Sequence, residues 1–353
     1  MTLPEKYAHM TDVELVAAIR RAKQALGTSL TILGHHYQRD EVIQFADFRG
    51  DSLDLSRRAA QVAQAKYIVF CGVHFMAETA AILCKPEQVV IQPVFEAMCP
   101  MAHMANGADA STAWEALSAV WGEELVPITY QNSTAEVKAF VGRHGGAVCT
   151  SANADKLFAW GLSRRKHLLF LPDEHLGTNT ALAMGIPRQE IGIWDPSDIP
   201  DARKLADCRV VVWKGFCYVH THFAPTDVDE ARRKYPGCLV IVHPECVHEV
   251  VAKADRAAST TGIIRFVEQA PAGAKIAIGT ECNLVNRLQQ EHPDKTVVPL
   301  RRSACVNMNM TRMTHLLYVL DSILDGSPRN IVTVEKDVAY WARVALERML
   351  EAS

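Results

Sequence analysis

The sequence predicts an α/β fold of parallel sheets repeated three times, and three observations carry that reading. Apolar strand-like runs alternate with helical stretches along the whole chain. The alternation recurs in a fixed order, with a period of about a hundred residues. Each recurrence ends in an apolar strand that feeds a loop with one cysteine: QVVIQPVFEAMC at 88–99, VVVWKGFC at 210–217 and KTVVPLRRSAC at 295–305. The middle copy is the clearest, because Gly215 breaks the β-branched run before Cys217 and His220.

The elements follow in order. Residues 11–26 read as a helix: Thr11 and Glu14 have capping-box spacing, Leu15, Ile19, Ala22 and Leu26 share a face, and Gly27 ends it. With this segment, 1–27, set apart, the repeats span 28–124, 125–236 and 237–353. Each opens with a strand. LTILGHHYQ ends at His35 and Tyr37, LVPITYQNS at Tyr130 and Asn132, and CLVIVHPEC at His243 and Glu245. After a helix comes a small-residue segment with hydroxyls: Asp51-Ser52, then Thr150-Ser151-Ala152-Asn153, then Ser259-Thr260-Thr261-Gly262. A further apolar strand follows (YIVFCG, LLFLPD, KIAIGT), then a helix, then the strand that leads to the cysteine. Amphipathic helices at 313–324 and 338–350 close the chain and are grouped with the third repeat.

At 353 residues the chain suits two or three domains, and 49% hydrophobic content supports buried sheets. A net charge of -3 without a basic run argues against nucleic acid as the partner. No run of about eighteen apolar residues suggests a membrane span, and the N-terminus lacks a signal-peptide core, so a cytoplasmic protein is expected. Ten cysteines in a reducing compartment do not read as disulfides, and no CxxC or Cys/His finger spacing suggests structural zinc. Cys71, Cys149, Cys208 and Cys238 lie in or beside apolar strands and read as buried free thiols. Cys84, Cys246 and Cys282 get the same reading.

In parallel α/β sheets, ligands bind beyond the carboxyl ends of the strands, where all of these polar residues fall. Three domains facing one another would bring Cys99, Cys217 and Cys305 to one cavity. Three thiolates can hold zinc with an open fourth position, or an iron–sulfur cluster with one iron lacking a protein ligand. An open iron is a Lewis acid suited to dehydration chemistry.

The motifs GHHYQ at 34–38, GDSLDLSRRA at 50–59, FCGVHFMAETA at 70–80, EAMCPMA at 96–102, YQNSTAEVKA at 130–139, CTSANA at 149–154, GFCYVH at 215–220, VHPEC at 242–246, ASTTG at 258–262 and SACVNM at 303–308 carry a resemblance. Together they resemble quinolinate synthase, the A-type enzyme of NAD biosynthesis, from about Ile32 to the final helix. The resemblance implies three αβα domains about a pseudo-threefold axis, with the active site in the central cavity. It also implies a [4Fe-4S] cluster on Cys99, Cys217 and Cys305. The reaction would condense iminoaspartate with dihydroxyacetone phosphate to quinolinate, losing phosphate and water. L-aspartate oxidase or aspartate dehydrogenase would supply the iminoaspartate, by channelling. One departure stands out. Some members carry a Cys-x-x-Cys-x-x-Cys run at the third ligand, where this chain reads Cys305-Val-Asn-Met308-Asn-Met310, which argues against a thiol switch there.

Each polar candidate has a plain reading beside its functional one. Glu245 is either a helix-start acid favoured by the dipole or a general base. Tyr130 is a domain-edge aromatic or a proton donor and acceptor, and Asn132 an N-cap or a substrate hydrogen-bonder. His35, His220 and His243 are backbone-bonded loop residues or binders of carboxylate and carbonyl groups, and Tyr37 shares the His35 strand end. The resemblance assigns catalysis to Glu245, Tyr130 and His220. Ser52, Ser151, Ser259, Thr260 and Thr261 stand where helices begin. There a hydroxyl can cap the helix while its free N–H groups bind an anion. Phe75 and Met76 read as cavity wall, while His74, His103, His144, His175 and His222 read as surface or packing residues. The rival readings are a zinc-dependent aldolase or hydrolase on the same thiolates, and a non-catalytic iron–sulfur sensor.

Overall fold

The computed structural model describes residues 3–62 and 64–352. Among them, thirteen strands form three sheets in which every named pair is parallel. The first sheet holds β1 (Leu30–His35), β2 (Phe48–Gly50), β3 (Tyr67–Cys71) and β4 (Val89–Ile91), in the order β2-β1-β3-β4. The second holds β5 (Leu125–Tyr130), β6 (Ala147–Cys149), β7 (His167–Leu171), β8 (Ile191–Trp194) and β9 (Val210–Trp213), in the order β6-β5-β7-β9-β8. The third holds β10 (Leu239–Val242), β11 (Arg256–Ala257), β12 (Lys275–Gly279) and β13 (Thr296–Pro299), in the order β11-β10-β12-β13.

The three orders are the same path drawn three times. In each sheet the opening strand lies between a short edge strand and the second long strand, and the strand that leads to the cysteine follows on the far side. Helices join the parallel neighbours, as parallel pairing demands. The nine strands read from the sequence are all present, β4 shortest at three residues but inside the apolar run QVVIQPV. β2, β6 and β11 have only three, three and two residues and no such run around them. Each nevertheless delivers the hydroxyl segment that follows it. β8 widens the second sheet alone, outside β9.

The chain divides into two compact units. One comprises Met1–Cys99 with Ala304–Glu335, the other Pro100–Ser303 with Lys336–Ser353. In the first, Leu15, Ile19 and Ala22 of the helix Asp12–Leu26 pack with Leu316, Leu320 and Ile323 of Met313–Leu324. Ile32, Val69 and Ile91 of the first sheet complete that core. Thr11 and Glu14 form the capping box, and Gly27 closes the helix at φ +52°, which favours glycine. In the second unit, Val228, Val240, Val250 and Ala277 belong to the core beside the third sheet.

The closing helices do not stay with the third repeat. Met313–Leu324 shares the first unit's core, because its apolar stripe matches that of Asp12–Leu26. Lys336–Glu351 packs on the helix Ala135–Arg143 beside the second sheet. Gly142 permits this approach, since a Cβ there would overlap the Trp341 carbonyl, and Arg348 Nη1 donates to the Gly146 carbonyl at 2.6 Å. No helix among the described residues is long and apolar enough to cross a membrane.

Candidate active site

The second unit gathers candidate side chains from five strand ends. Tyr130 ends β5, Ser151 follows β6, Cys217 and His220 follow β9, His243 and Glu245 follow β10, and Thr280 follows β12. Glu245 lies at the centre, 2% exposed like His220 and His243. Its Oε2 is 2.6 Å from His220 Nδ1 and 3.9 Å from His243 Nδ1. The two imidazoles stack, with centroids 4.4 Å apart and planes 20° from parallel. His220 Nε2 pairs with Thr280 Oγ1 at 3.1 Å, and Tyr130 hydrogen-bonds to the Glu245 carboxylate. The Glu245 N–H donates to His243 Nδ1 at 3.3 Å, so the neutral ring carries its hydrogen on Nε2, which meets Ser151 Oγ at 3.1 Å. The Cys217 sulfur, a His220 nitrogen and a Glu245 oxygen lie within 4.8 Å of one another.

Burial and charge set the protonation states. Burial first, then the neighbouring His220, drives His243 down to about 3, so it is neutral at ordinary pH. Burial alone would raise Glu245. The neighbouring His220, with the hydrogen bonds from His220 and Tyr130, outweighs it and holds the carboxyl below the usual range. Asp173 goes the other way. Burial, then the Glu245 charge, pushes it well above an ordinary aspartate. Two carboxyls in one unit are thus driven in opposite directions, Glu245 down and Asp173 up, the pattern that separates acid from base roles.

The loop bearing Glu245 is held from the helix Glu174–Ala183. Asn179, 6% exposed, donates Nδ2 to the Pro244 carbonyl at 2.9 Å and to the Cys246 carbonyl at 2.8 Å. Its Oδ1 meets His248 Nδ1 at 2.9 Å. Asp173 caps that helix: Oδ1 accepts from the Leu176 N–H at 2.6 Å, while buried Oδ2 has no partner. The Cys217 loop is tied to the same turn. Glu174 N–H donates to the Gly215 carbonyl at 2.8 Å, and a Cβ on Gly215 would overlap the Pro172 carbonyl.

The hydroxyl segments differ in what they do. Ser259 caps its helix, accepting from Gly262 N–H at 3.2 Å, with Thr260 and Thr261 as the first two helical residues. Ser151 caps nothing recorded and turns to His243 instead. Asn132 is not a cap either, since Thr134 serves the helix Ala135–Arg143. The Asn132 Oδ1 is buried and without a partner, an acceptor left for a ligand.

The first unit holds the remaining candidates. His35, 4% exposed, accepts the Tyr37 N–H on Nδ1 at 3.1 Å, and the two rings meet edge to face at 4.7 Å. Ser52 is the first residue of the helix Ser52–Gln61, and Asp51 is its cap, accepting from Leu53 and Asp54 N–H groups at 3.0 Å. Cys305 Sγ accepts the Met308 N–H at 3.5 Å, and Gln38 Nε2 approaches Met308 Sδ at 3.2 Å. Cys99 and Cys305 belong to this unit, Cys217 to the other.

Comparison with known proteins decides the family. A family model described as quinolinate synthetase A protein matches residues 17–351. The quinolinate synthase of Geobacillus kaustophilus is 51% identical over 352 residues, covering 99% of this chain and 96% of the relative. That of Anoxybacillus flavithermus is 49% identical over 353 residues, with the same shares covered. A Bacillus anthracis quinolinate synthase is 47% identical over 353 residues, again with those shares. The chain belongs to the quinolinate synthase family. Enzymes of this family serve NAD biosynthesis.

The iron–sulfur cluster implied by the quinolinate synthase family can be tested against the thiols. Cys99, Cys217 and Cys305 are half-buried and follow the strand of their repeat that leads to a cysteine. By contrast, burial pushes Cys71 up to about 12 and raises Cys149 and Cys246 strongly, which disfavours the thiolate that a metal needs. Cys208, Cys238 and Cys282 are raised too, again by burial first. Cys84 is half-buried as well but follows a helix rather than a strand, so the three strand-end sulfurs are the ones that fit the cluster's donor set, and the N–H on Cys305 Sγ suits a charged sulfur.

Three residues of consequence escape sequence reasoning. Asp173 and Thr280 are the last residues of the segments LLFLPD and KIAIGT, so the strand-end rule applied to those segments would have found them. Asn179 lies inside a helix, and only the tertiary structure reveals its grip on residues 244 and 246.

Proposed function

We propose that the chain condenses iminoaspartate with dihydroxyacetone phosphate to quinolinate, releasing phosphate and water. The observation that carries this reading is the buried Glu245–His220 pair, 2.6 Å apart and near Cys217. Ring formation removes a proton beside a carbonyl or imine and expels hydroxyl as water. An ionised Glu245 accepts such a proton, and His220 and Tyr130, both bonded to it, take or return one. The Glu245 carboxylate, 2.6 Å from His220 Nδ1, also orients the imidazole, as in other acid–His dyads.

Substrate recognition is divided among the other residues. Asn132 Oδ1 accepts from a substrate N–H or O–H group. His243 and Ser151 act as one hydrogen-bonded pair toward a carboxylate, and His35 with Tyr37 toward a carboxylate or carbonyl. Ser52 and the Ser259–Thr261 helix start supply N–H groups and hydroxyls suited to the carboxylate and phosphate anions. Cys99, Cys217 and Cys305 are the ligands we propose for a [4Fe-4S] cluster. When bound, the cluster supplies Lewis acidity through an iron without a protein ligand. A reducing cytoplasm is the setting this reading requires, since the ligand thiols must stay reduced. Iminoaspartate hydrolyses in water, so direct transfer from an L-aspartate oxidase or aspartate dehydrogenase is part of the same proposal.

The test is turnover. Protein purified anaerobically is given both substrates, and quinolinate formation is followed alongside iron and sulfide content. Quinolinate appearing in proportion to cluster content supports the reading. Zinc without sulfide would replace it with a zinc-dependent aldolase or hydrolase, and a full cluster without turnover would replace it with a sensor.

A further inference from the structure

Cys217, His220 and Glu245 present one sulfur, one imidazole nitrogen and one carboxylate oxygen, all within 4.8 Å of one another. Mixed sulfur, nitrogen and oxygen donors suit zinc, which takes four ligands and leaves one position to water where the protein supplies three. We infer that, in the cluster-free chain, these three side chains bind a single Zn²⁺ ion. The ion would lie between His220 Nδ1 and Glu245 Oε2, now 2.6 Å apart. Tetrahedral zinc bonds of about 2.0–2.3 Å require those two atoms to separate by roughly 0.7 Å, a side-chain adjustment.

The surroundings are already arranged for it. When a metal takes Nδ1, the ring hydrogen moves to Nε2 and donates to Thr280 Oγ1, 3.1 Å away. A metal-bound histidine characteristically makes this contact through its other nitrogen. Tyr130 bonds to the carboxylate, and Asn179 fixes the backbone on both sides of Glu245. Both imidazole and carboxylate are 2% exposed, while Cys217 is half-buried, so the ion has a way in on the sulfur side. Binding displaces one proton, from the Cys217 thiol to solvent; no electron moves.

The consequence rests on the cluster reading of Cys217 given above. One sulfur cannot serve both metals in these arrangements, so zinc on this trio blocks cluster assembly and covers the Glu245 carboxylate. The site is then the place where zinc poisons an immature chain.

The full chain, stripped of iron, is titrated with Co²⁺ as a spectroscopic probe and then with Zn²⁺ as competitor. One equivalent of Co²⁺ should give tetrahedral ligand-field bands with a sulfur charge-transfer band, and Zn²⁺ should abolish both. His220→Ala and Glu245→Gln should each weaken zinc at least about tenfold. Thr280→Val, which keeps shape and fold, should cost about tenfold through the imidazole's orientation. Cys99→Ala and Cys305→Ala should leave the affinity within a few-fold. Loss of binding in Cys99→Ala or Cys305→Ala to the extent seen in Cys217→Ala would overturn the inference in favour of a three-thiolate site. Unchanged affinity in His220→Ala and Glu245→Gln would overturn it too. In a second arm, zinc-loaded chain is offered ferrous iron and sulfide. Uptake below about a tenth of the zinc-free level, restored by a chelator, is expected; uptake at the zinc-free level would overturn the blocking role. A chain that binds zinc as described but never assembles a cluster would refute the cluster reading alone.

Discussion

The ends of β1 and β10 are built alike and equipped differently. Each strand runs into a histidine, His35 or His243, whose Nδ1 accepts the N–H two residues on, at 3.1 Å and 3.3 Å. The turn is therefore the same backbone device. In the first unit the residue two places on is Tyr37, edge-on to the ring. In the second it is Glu245, buried beneath two stacked imidazoles. Repetition of the fold fixes where a side chain is presented, and one residue in the turn fixes whether the strand end recognises or moves protons. On this account the β1 end binds, and the β10 end carries the proton chemistry.

The largest effect expected concerns the sulfur nearest the β10 end. Cys217→Ala should purify without cluster iron and without turnover, whereas Cys149→Ala should keep its iron and lose only about 1–2 kcal/mol of stability from a small cavity. Parent-level iron in Cys217→Ala would detach the sulfur from the chemistry assigned to that region.

Next comes the scaffold that holds the β10 end from the helix Glu174–Ala183. Asn179→Leu leaves the carbonyls of residues 244 and 246 without their donor. A loss of about 2–4 kcal/mol in unfolding free energy is expected, since each buried group left unsatisfied costs about 1–3 kcal/mol. With Glu245 no longer held, kcat should fall roughly 10–100-fold with KM changing far less. Iron content and KM read together separate mispositioning from general damage. A rise in KM at constant kcat would make Asn179 a binding residue.

A smaller effect is expected at Asp173. Its folded pKa lies above the unfolded value of about 3.8, so the folded chain holds more protons as pH rises beyond that value. Its contribution to stability therefore falls as pH climbs from about 4 through the folded pKa. Asn does not titrate and caps a helix as well as Asp. The melting temperature of Asp173→Asn, relative to the parent, should rise with pH across that window, with turnover near neutral pH within a few-fold. A relative melting temperature that falls with rising pH would mean that Asp173 is ionised in the fold.

These residues also mark the limit of what a sequence conveys. Nine strands are legible because buried parallel strands lie in runs of Val, Ile and Leu that need no partner to be recognised. His35, Tyr130, His243 and Cys217 are legible because they follow such runs. β11, two residues long, has no pattern to read, yet it leads to Ser259. The serine and asparagine positions were read partly as caps; Ser259 is one, but Ser151 and Asn132 are not, because capping depends on which neighbour's N–H is in reach. The destinations of 313–324 and 338–350 depend on which apolar stripes fit, which no local window contains. The competition at Glu245 between burial and its histidine partners is open in the sequence for the same reason: its outcome depends on the 2.6 Å approach of His220, twenty-five residues away in the chain, which no local window contains.

The most direct test sets the two strand ends against each other. Turnover at saturating substrates is measured for Glu245→Gln and Tyr37→Phe, with iron content matched to the parent. Glu245→Gln keeps the shape and removes the carboxylate. It should lose about 10²–10⁴ in kcat while still assembling the cluster and binding substrate, and Tyr37→Phe should lose no more than about tenfold, mainly in KM. Glu245→Gln turning over within a few-fold of the parent would contradict the account, making Glu245 a structural acid and moving the base to Tyr130 or a histidine.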